Sequence, residues 1–232
     1  MLINNIDISN FNAKQLIVDI QPSNIILEKE WVKKSLKPIF IDSNITFKSL
    51  KITLYFHGND RQDILTNISN LISLLKEESV LTLDGYKNKF ISFLINSNIE
   101  KTIRKDRYKL NLEFDSYEVS DFIEETLNRT TMKTINIKGN LETPCIVEIT
   151  PIVDIIDIKI EGLSEDPIII KNLEKNKTLI LHGIDGTITV DGNNKFSDAD
   201  LWEFPRLKPG SNNIKISRND CNIKIKYKDE WI

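Results

Sequence analysis

The stretch ITFKSLKITLYFHGNDRQDILTNISNLISLLKEE, residues 45–78, changes its hydrophobic period part-way along and so decides the fold class. Its first half alternates: Ile45 and Phe47, then, after a one-residue slip at Lys48-Ser49, Leu50, Ile52, Leu54 and Phe56. A period of two puts every second side chain on one face, as a half-buried strand requires. The slip predicts a bulge at that point. The second half repeats at helical spacing. Ile64, Leu65, Ile68, Leu71, Ile72 and Leu75 form one apolar stripe along a helix expected near 61–77. Asp60 is placed to cap its first turn, with Asp63 three positions later, and Lys76 lies near the carbonyl end. Strands on both sides of this helix predict that it packs across a sheet.

Outward from this stretch, strand patterns dominate. SVLTLDGYKNKFISFLI (79–95) carries Asp84-Gly85 between two apolar runs, the composition of a tight hairpin. RYKLNLEF (107–114) alternates Tyr108, Leu110, Leu112 and Phe114. VSDFIEETLNRTT (119–131) is polar without a sustained period and reads as the connection between domains. Beyond it, short apolar runs such as CIVEITPIV, IIDIKIEG, KTLILHG and NIKIKYKDEWI are bounded by Gly, Pro, Asn or Asp, a rhythm that suits a β-sandwich. Asp185-Gly186 reads as a hairpin turn and Asp191-Gly192 as the start of a loop. The expected fold is mostly β: an N-terminal β-barrel or sandwich-like domain with one α-helix, residues 1–127, then a C-terminal antiparallel β-sandwich, residues 128–232.

Composition excludes several function classes. Thirty-one basic and 34 acidic residues among 232 give a net charge of −3, with no electrostatic signature of nucleic-acid or anionic-membrane binding. MLINNIDISNFNAKQLIVDI, the first 20 residues, has neither the basic nor the continuous apolar region of a signal peptide. No run approaches the roughly 18 apolar residues of a membrane span. The two cysteines, Cys145 and Cys221, cannot make a disulfide scaffold and are expected as buried free thiols.

Candidate chemistry is sparse. His57 and His182 fall in different expected domains, each just before a glycine, with no nucleophile pointed to either. Asp191, Asn193, Asp198 and Asp200 are oxygen donors of the kind calcium takes, but their spacing is not that of an EF-hand, and Asp, Asn and Gly mark loops for conformational reasons alone. Glu203, between Trp202 and Phe204, is the carboxylate in an aromatic setting that a glycosidase reading would need; a surface carboxylate beside core aromatics is the simpler reading. No P-loop and no dinucleotide fingerprint is present. No catalytic residue and no cofactor is expected.

The order of the motifs resembles a family. The run from MLINNIDISNFNAKQLIVDI through EKEW, SLKPIF and residues 45–75, with Phe56-His57-Gly58-Asn59-Asp60-Arg61 matching an F-x-G-x-D-R phrase before a helix, looks like the N-terminal domain of the distal tail proteins of long-tailed, siphovirus-type phages. GNLETPCIVEI (139–149) and TLILHGIDGTITVDGNNKFSDADLWEFPRLKPGSNNIKI (178–216) fit the opening and closing parts of that family's galectin-like sandwich. The resemblance covers nearly the whole chain. It implies a structural role: a ring, usually a hexamer, at the distal end of the tail tube, joining tube protein, tail-tip protein and receptor-binding or baseplate components in the virion tail, after synthesis in the host cytoplasm. The family pattern contains no catalytic residues.

Within that frame, LWEFPRLKPGSNNIKI (201–216) reads as a structural return: Phe204-Pro205 and Leu207 anchor it, and Pro209-Gly210 turns it. Trp202 is expected to be buried, with stacking on a sugar as the alternative. The sugar-binding set of galectins proper is absent, so sugar binding does not follow from the shape. The first strand, INNIDIS (3–9), is expected as an edge that joins neighbours in the ring. The alternative function is a non-catalytic carbohydrate-binding module, and a third is a small glycan hydrolase using Glu203.

Overall fold

A computed structural model describes residues 1–232. The chain forms two compact units, Met1–Val119 and Ser120–Trp231.

The strands of the first unit are β1 (Leu2–Ile3), β2 (Ile6–Asp7), β3 (Ala13–Gln21), β4 (Ile25–Glu30), β5 (Ile39–Ile45), β6 (Lys48–His57), β7 (Ser79–Thr82), β8 (Lys89–Lys101) and β9 (Arg107–Val119). One sheet runs in the order β2-β1-β7-β8-β9-β6-β3, and β4 and β5 pair only with each other. The alternation seen in the sequence gives the sheet its inner face: Leu50, Ile52, Leu54 and Phe56 of β6 and Leu110, Leu112 and Phe114 of β9 are buried in one cluster. The helix α1 (Arg61–Ser73) lays Ile64, Ile68 and Leu71 on that cluster. Asp60 caps it as expected, its carboxylate accepting the Asp63 N–H at 2.9 Å, while Asp63 accepts the N–H of Asn59 at 3.1 Å. Removing such a cap costs about 1 kcal/mol, so Asp60→Ala should lower the melting temperature of this unit by about 4–8 °C in calorimetry.

Three local features differ from the pattern read in the sequence. The helix ends at Ser73, not near 77, because its last turn tightens: Leu74 and Leu75 donate to Leu71 and Ile72, three residues back. Leu75 still reaches the core, which is why the apolar stripe outruns the helix. The slip at Lys48-Ser49 is not a bulge but the passage from β5, which ends at Ile45, into β6. Register with β9 is unbroken from Lys48 to His57, and the irregularities lie between Gln15 and Ile17, between Glu28 and Lys29, and between Leu94 and Asn96. A lost step of alternation carries the same signature whether a strand bulges or a new one begins. Asp84-Gly85 does not form a two-residue hairpin: β7–β8 pairing stops at Leu81 and Phe90, and a turn closed by Tyr86 N–H to Leu83 O (3.3 Å) sits within the longer connection.

The segment 3–9, expected as one edge strand, splits between β1 and β2, and only β2, at the end of the sheet order, is an edge. β1 is paired on both sides, to β2 and β7, and Ile3 and Ile8 are buried. Its role is to complete the sheet, so removing residues 1–10 would remove core and not merely a joint.

The second unit contains β10 (Ile123–Asn128), β11 (Met132–Ile137), β12 (Thr143–Pro144), β13 (Ile146–Pro151), β14 (Ile155–Glu161), β15 (Ile168–Leu173), β16 (Leu179–His182), β17 (Thr187–Val190), β18 (Asn193–Asn194), β19 (Ala199–Asp200), β20 (Arg206–Leu207), β21 (Gly210–Ile216) and β22 (Cys221–Tyr227). Two antiparallel sheets, β10-β22-β13-β16-β17-β18 and β11-β21-β14-β15-β19, share one core. Val147, Ile149, Leu179, Leu181, Ile223 and Ile225 come from the first, and Ile158, Ile160, Ile168, Ile170 and Ile214 from the second.

The segment 119–131 is more than a connection. β10 pairs with β22 along its whole length, and the division between units falls after Val119. Its alternation is hidden because Glu125 sits between Ile123 and Leu127 on the same side of the strand, held by Lys133 at 2.6 Å. Asp185-Gly186 does lie in the β16–β17 hairpin. Asp191-Gly192 is itself a two-residue hairpin turn, because Val190 pairs with Asn193 and both turn residues have positive φ, +50° and +79°.

Candidate functional site

The structure disperses the residues that chemistry would need together. His57 and His182 lie in different units, and His182 Nδ1 accepts the Asp185 N–H at 3.1 Å within its own turn. Asp191 and Asn193 flank a cleft that Glu174, Lys177 and Lys195 also line, where Lys177 is paired with Glu174 at 2.6 Å. Asp198 is engaged by Lys195 Nζ (2.6 Å) and the Asn172 amide (2.9 Å), which together hold its carboxyl below the usual range. Asp200 is exposed in β19, opposite Ile169. The four candidate calcium donors therefore do not converge, and no group of three or more His, Cys, Asp or Glu side chains is close enough to hold a metal ion.

Glu203 does acquire a second carboxylate nearby, one the sequence did not single out. Arg206 Nη2 reaches both Glu203 oxygens at 3.0 and 2.8 Å, and its Nε lies 3.2 Å from Glu142. The two acids, with Gly183, Phe204 and Pro205, line one cleft. A glycosidase pair needs space for a sugar between an acid and a nucleophile. Here one guanidinium occupies that space and ties up both carboxylates.

Trp202 is not buried. It is 86% exposed, whereas its neighbours Leu201 and Phe204 pack on the core and Leu207 is fully buried. Those residues anchor the loop, so the tryptophan is left outward. The loop is closed by Asn212, which accepts the Lys208 N–H at 2.9 Å and donates to the carbonyls of Lys208 (2.7 Å) and Gly210 (3.1 Å). The 201–216 segment is thus a structural return, with Asn212 as the clasp that sequence reading missed.

Cys145 and Cys221 are buried free thiols. Burial pushes Cys145 far above the usual thiol range and Cys221 up to about 11, the latter aided by Asp220 and opposed by Arg218. Since the thiolate is the nucleophile, neither should react with Ellman's reagent in the native protein at mildly alkaline pH, whereas two thiols should titrate after denaturation.

The surface that stands out is an arm. In β4 and β5, Ile25, Ile26, Leu27, Ile39, Phe40, Ile41 and Ile45 are each more than half exposed. Successive strand residues point to opposite faces, so both faces of the arm are apolar. Its tip, Trp31 to Pro38, adds an exposed Trp31 and Val32 and a 95% exposed Leu36, and is braced by Trp31 Nε1–H donating to Ser35 O at 3.0 Å. An isolated two-stranded hairpin is marginal in water, and so much contiguous apolar surface marks an interaction site. The signal was present in IILEKEW and IFIDSNI, apolar runs with no third strand to bury them.

Residues 138–231 match the family of siphovirus-type tail component C-terminal domains. The match lies within the C-terminal unit. Over the whole chain, the fold is that of the Dit protein of phage SPP1, described as a paradigm of the hub adsorption apparatus in phages infecting Gram-positive bacteria: TM-score 0.80 at 10% identity, covering 100% of this chain and 98% of that one. Chains of the phage P2 baseplate, in its activated conformation with calcium or with strontium, match with TM-score 0.53 at 11% identity, covering 95% of this chain and 92% of theirs. No curated protein matches the sequence. The structural match extends over both units, including the helix-bearing N-terminal one that the family match leaves uncovered.

Proposed function

We propose that this protein is a structural hub component at the distal end of a siphovirus tail, and that it works by assembly and not by catalysis. The observation that carries the reading is the end-to-end agreement with the Dit fold, both units in the same order. In the proposed role it forms a hexameric ring that joins the tail tube, the tail-tip protein and receptor-binding or baseplate components. A closed ring needs two different patches on each subunit to meet. The β4–β5 arm supplies one of them, since its two apolar faces have no cover within the subunit. Light scattering of the purified chain across a concentration series tests this: a mass near six times the 26.8 kDa of one chain is expected, and a chain that stays monomeric even with tail tube and tail-tip proteins present rejects it.

The exposure of Trp202 favours a second, additional reading, in which the C-terminal unit touches a host saccharide by stacking. Because the side chain packs on nothing, Trp202→Ala should change stability by less than about 0.5 kcal/mol. Loss of binding to host cell-wall saccharides in that variant would support the reading, and unchanged binding would remove it.

A further inference from the structure

Charge in the first unit is distributed unevenly. Of its 16 Lys and Arg residues, seven sit in two hairpin tips: Lys33, Lys34 and Lys37 in the arm, and Lys101, Arg104, Lys105 and Arg107 where β8 turns into β9. The two tips hold one acidic residue, Asp106, leaving nine basic against 14 acidic residues elsewhere in that unit. The body is net acidic and the tips are basic.

The β8–β9 tip is built and presented. Thr102 Oγ1 is within hydrogen-bond reach of the carbonyls of both Arg104 and Arg107, which pins the turn. Asp106 lies 3.6 Å from Nε of Arg104 and of Arg107. That is long for a direct hydrogen bond, so the one carboxylate in a tip of four cations is only loosely engaged. Ile103, in their midst, is fully exposed. Beyond Ser92, β8 is bonded to β9 and no longer to β7, and residues 95–101 are all exposed.

We propose that this tip, Lys101–Arg107, is an electrostatic docking knob for the acidic surface of the first unit in a second copy of the chain. The inference rests on the ring reading and adds a contact separate from the apolar arm. Like charge disfavours tip against tip, whereas tip against body is attractive and brings two different patches together, as the contact in a closed ring does. The exposed Ile103 selects a protein surface over a phosphate backbone, because an apolar side chain gains from a matching depression and nothing from phosphates.

The test is self-association of the full chain, followed by sedimentation at about 0.05 M and about 0.5 M salt, for wild type, R104E/K105E and a control of equal charge change in the second unit, K171E/K175E. Wild-type association should weaken at least about tenfold at the higher salt, and R104E/K105E should lose about as much at low salt, with little remaining salt dependence and unchanged circular dichroism. K171E/K175E should behave as wild type. Salt-independent association, or equal behaviour of the two double variants, overturns the knob; rings of wild-type mass under those conditions leave the hub reading standing. Failure of wild type to associate at either salt also overturns it, and binding to purified tail tube protein then judges the hub reading separately. Duplex-DNA binding abolished by R104E/K105E, with self-association intact, would assign the tip to nucleic acid instead.

Discussion

On the proposed hub reading, replacing residues 25–45 by a short Gly-Ser link is expected to give a folded monomer that no longer assembles. The base of the arm is clasped: Thr46 N–H donates to Asn24 O at 2.9 Å, and Asn24 N–H donates to Thr46 Oγ1 at 3.0 Å. The ends to be joined are therefore already together, and closing a short loop there is cheap. No residue of 25–45 belongs to the buried core of the unit, so its melting temperature should move by no more than a few degrees, the scale of an ordinary surface change. Assembly should suffer far more. Fully burying one large aliphatic side chain contributes about 1.5–3 kcal/mol. Covering the exposed halves of two such residues is thus worth about 2 kcal/mol, or about thirtyfold in association. With seven available on the two strands, the loss should be at least that large. Light scattering and calorimetry on the same preparation decide the matter. A ring of full mass would show that the arm lies outside the interface, and an unfolded product would show that it belongs to the fold.

Gly162→Ala should be the most damaging single-methyl change in the second unit. Gly162 follows β14 with φ +90°, a region that side chains with a Cβ disfavour. A Cβ there would lie 2.3 Å from Asn213 O and 3.0 Å from its carbonyl carbon. That carbonyl cannot retreat cheaply. Asn213 sits within β21, paired with Thr134 of β11, whose hydroxyl is bonded to Asn213 Oδ1 at 2.7 Å. The next residue, Leu163, is fully buried, so the chain cannot swing outward without exposing it. Conformational strain and overpacking each cost about 1–3 kcal/mol. Together they predict a loss of about 3 kcal/mol or more, and a fall of about 10–20 °C in the transition of this unit. A fall of less than about 3 °C would mean that β14 and β21 are not held together as described.

Much of the fold is legible locally. The change from period two to period 3.6 between Phe56 and Ile64 locates the β6–α1 junction. Asp60 caps the helix where its type and position say it should. The short runs after residue 131 become sandwich strands. These features depend on a residue and its neighbours within a few positions, so a pattern can record them. The misreadings share one cause. The lost step at Lys48 records a change of sheet, Glu125 hides a strand because its partner Lys133 is on another one, and Trp202 is outward because Leu201, Phe204 and Leu207 already fill the space beneath the loop.

By itself the sequence determined the two β-rich units, the one helix and its cap, and the motif order that resembles distal tail proteins. Only the tertiary structure decided where the units divide, that β1 is internal, that Glu142 and Glu203 close on one arginine, and that the β4–β5 arm and the basic β8–β9 tip are left uncovered. Periodicity states which side chains share a face of an element. Whether that face is covered depends on which distant strands pair beside it and on what packs above it, and burial is a property of those non-local contacts.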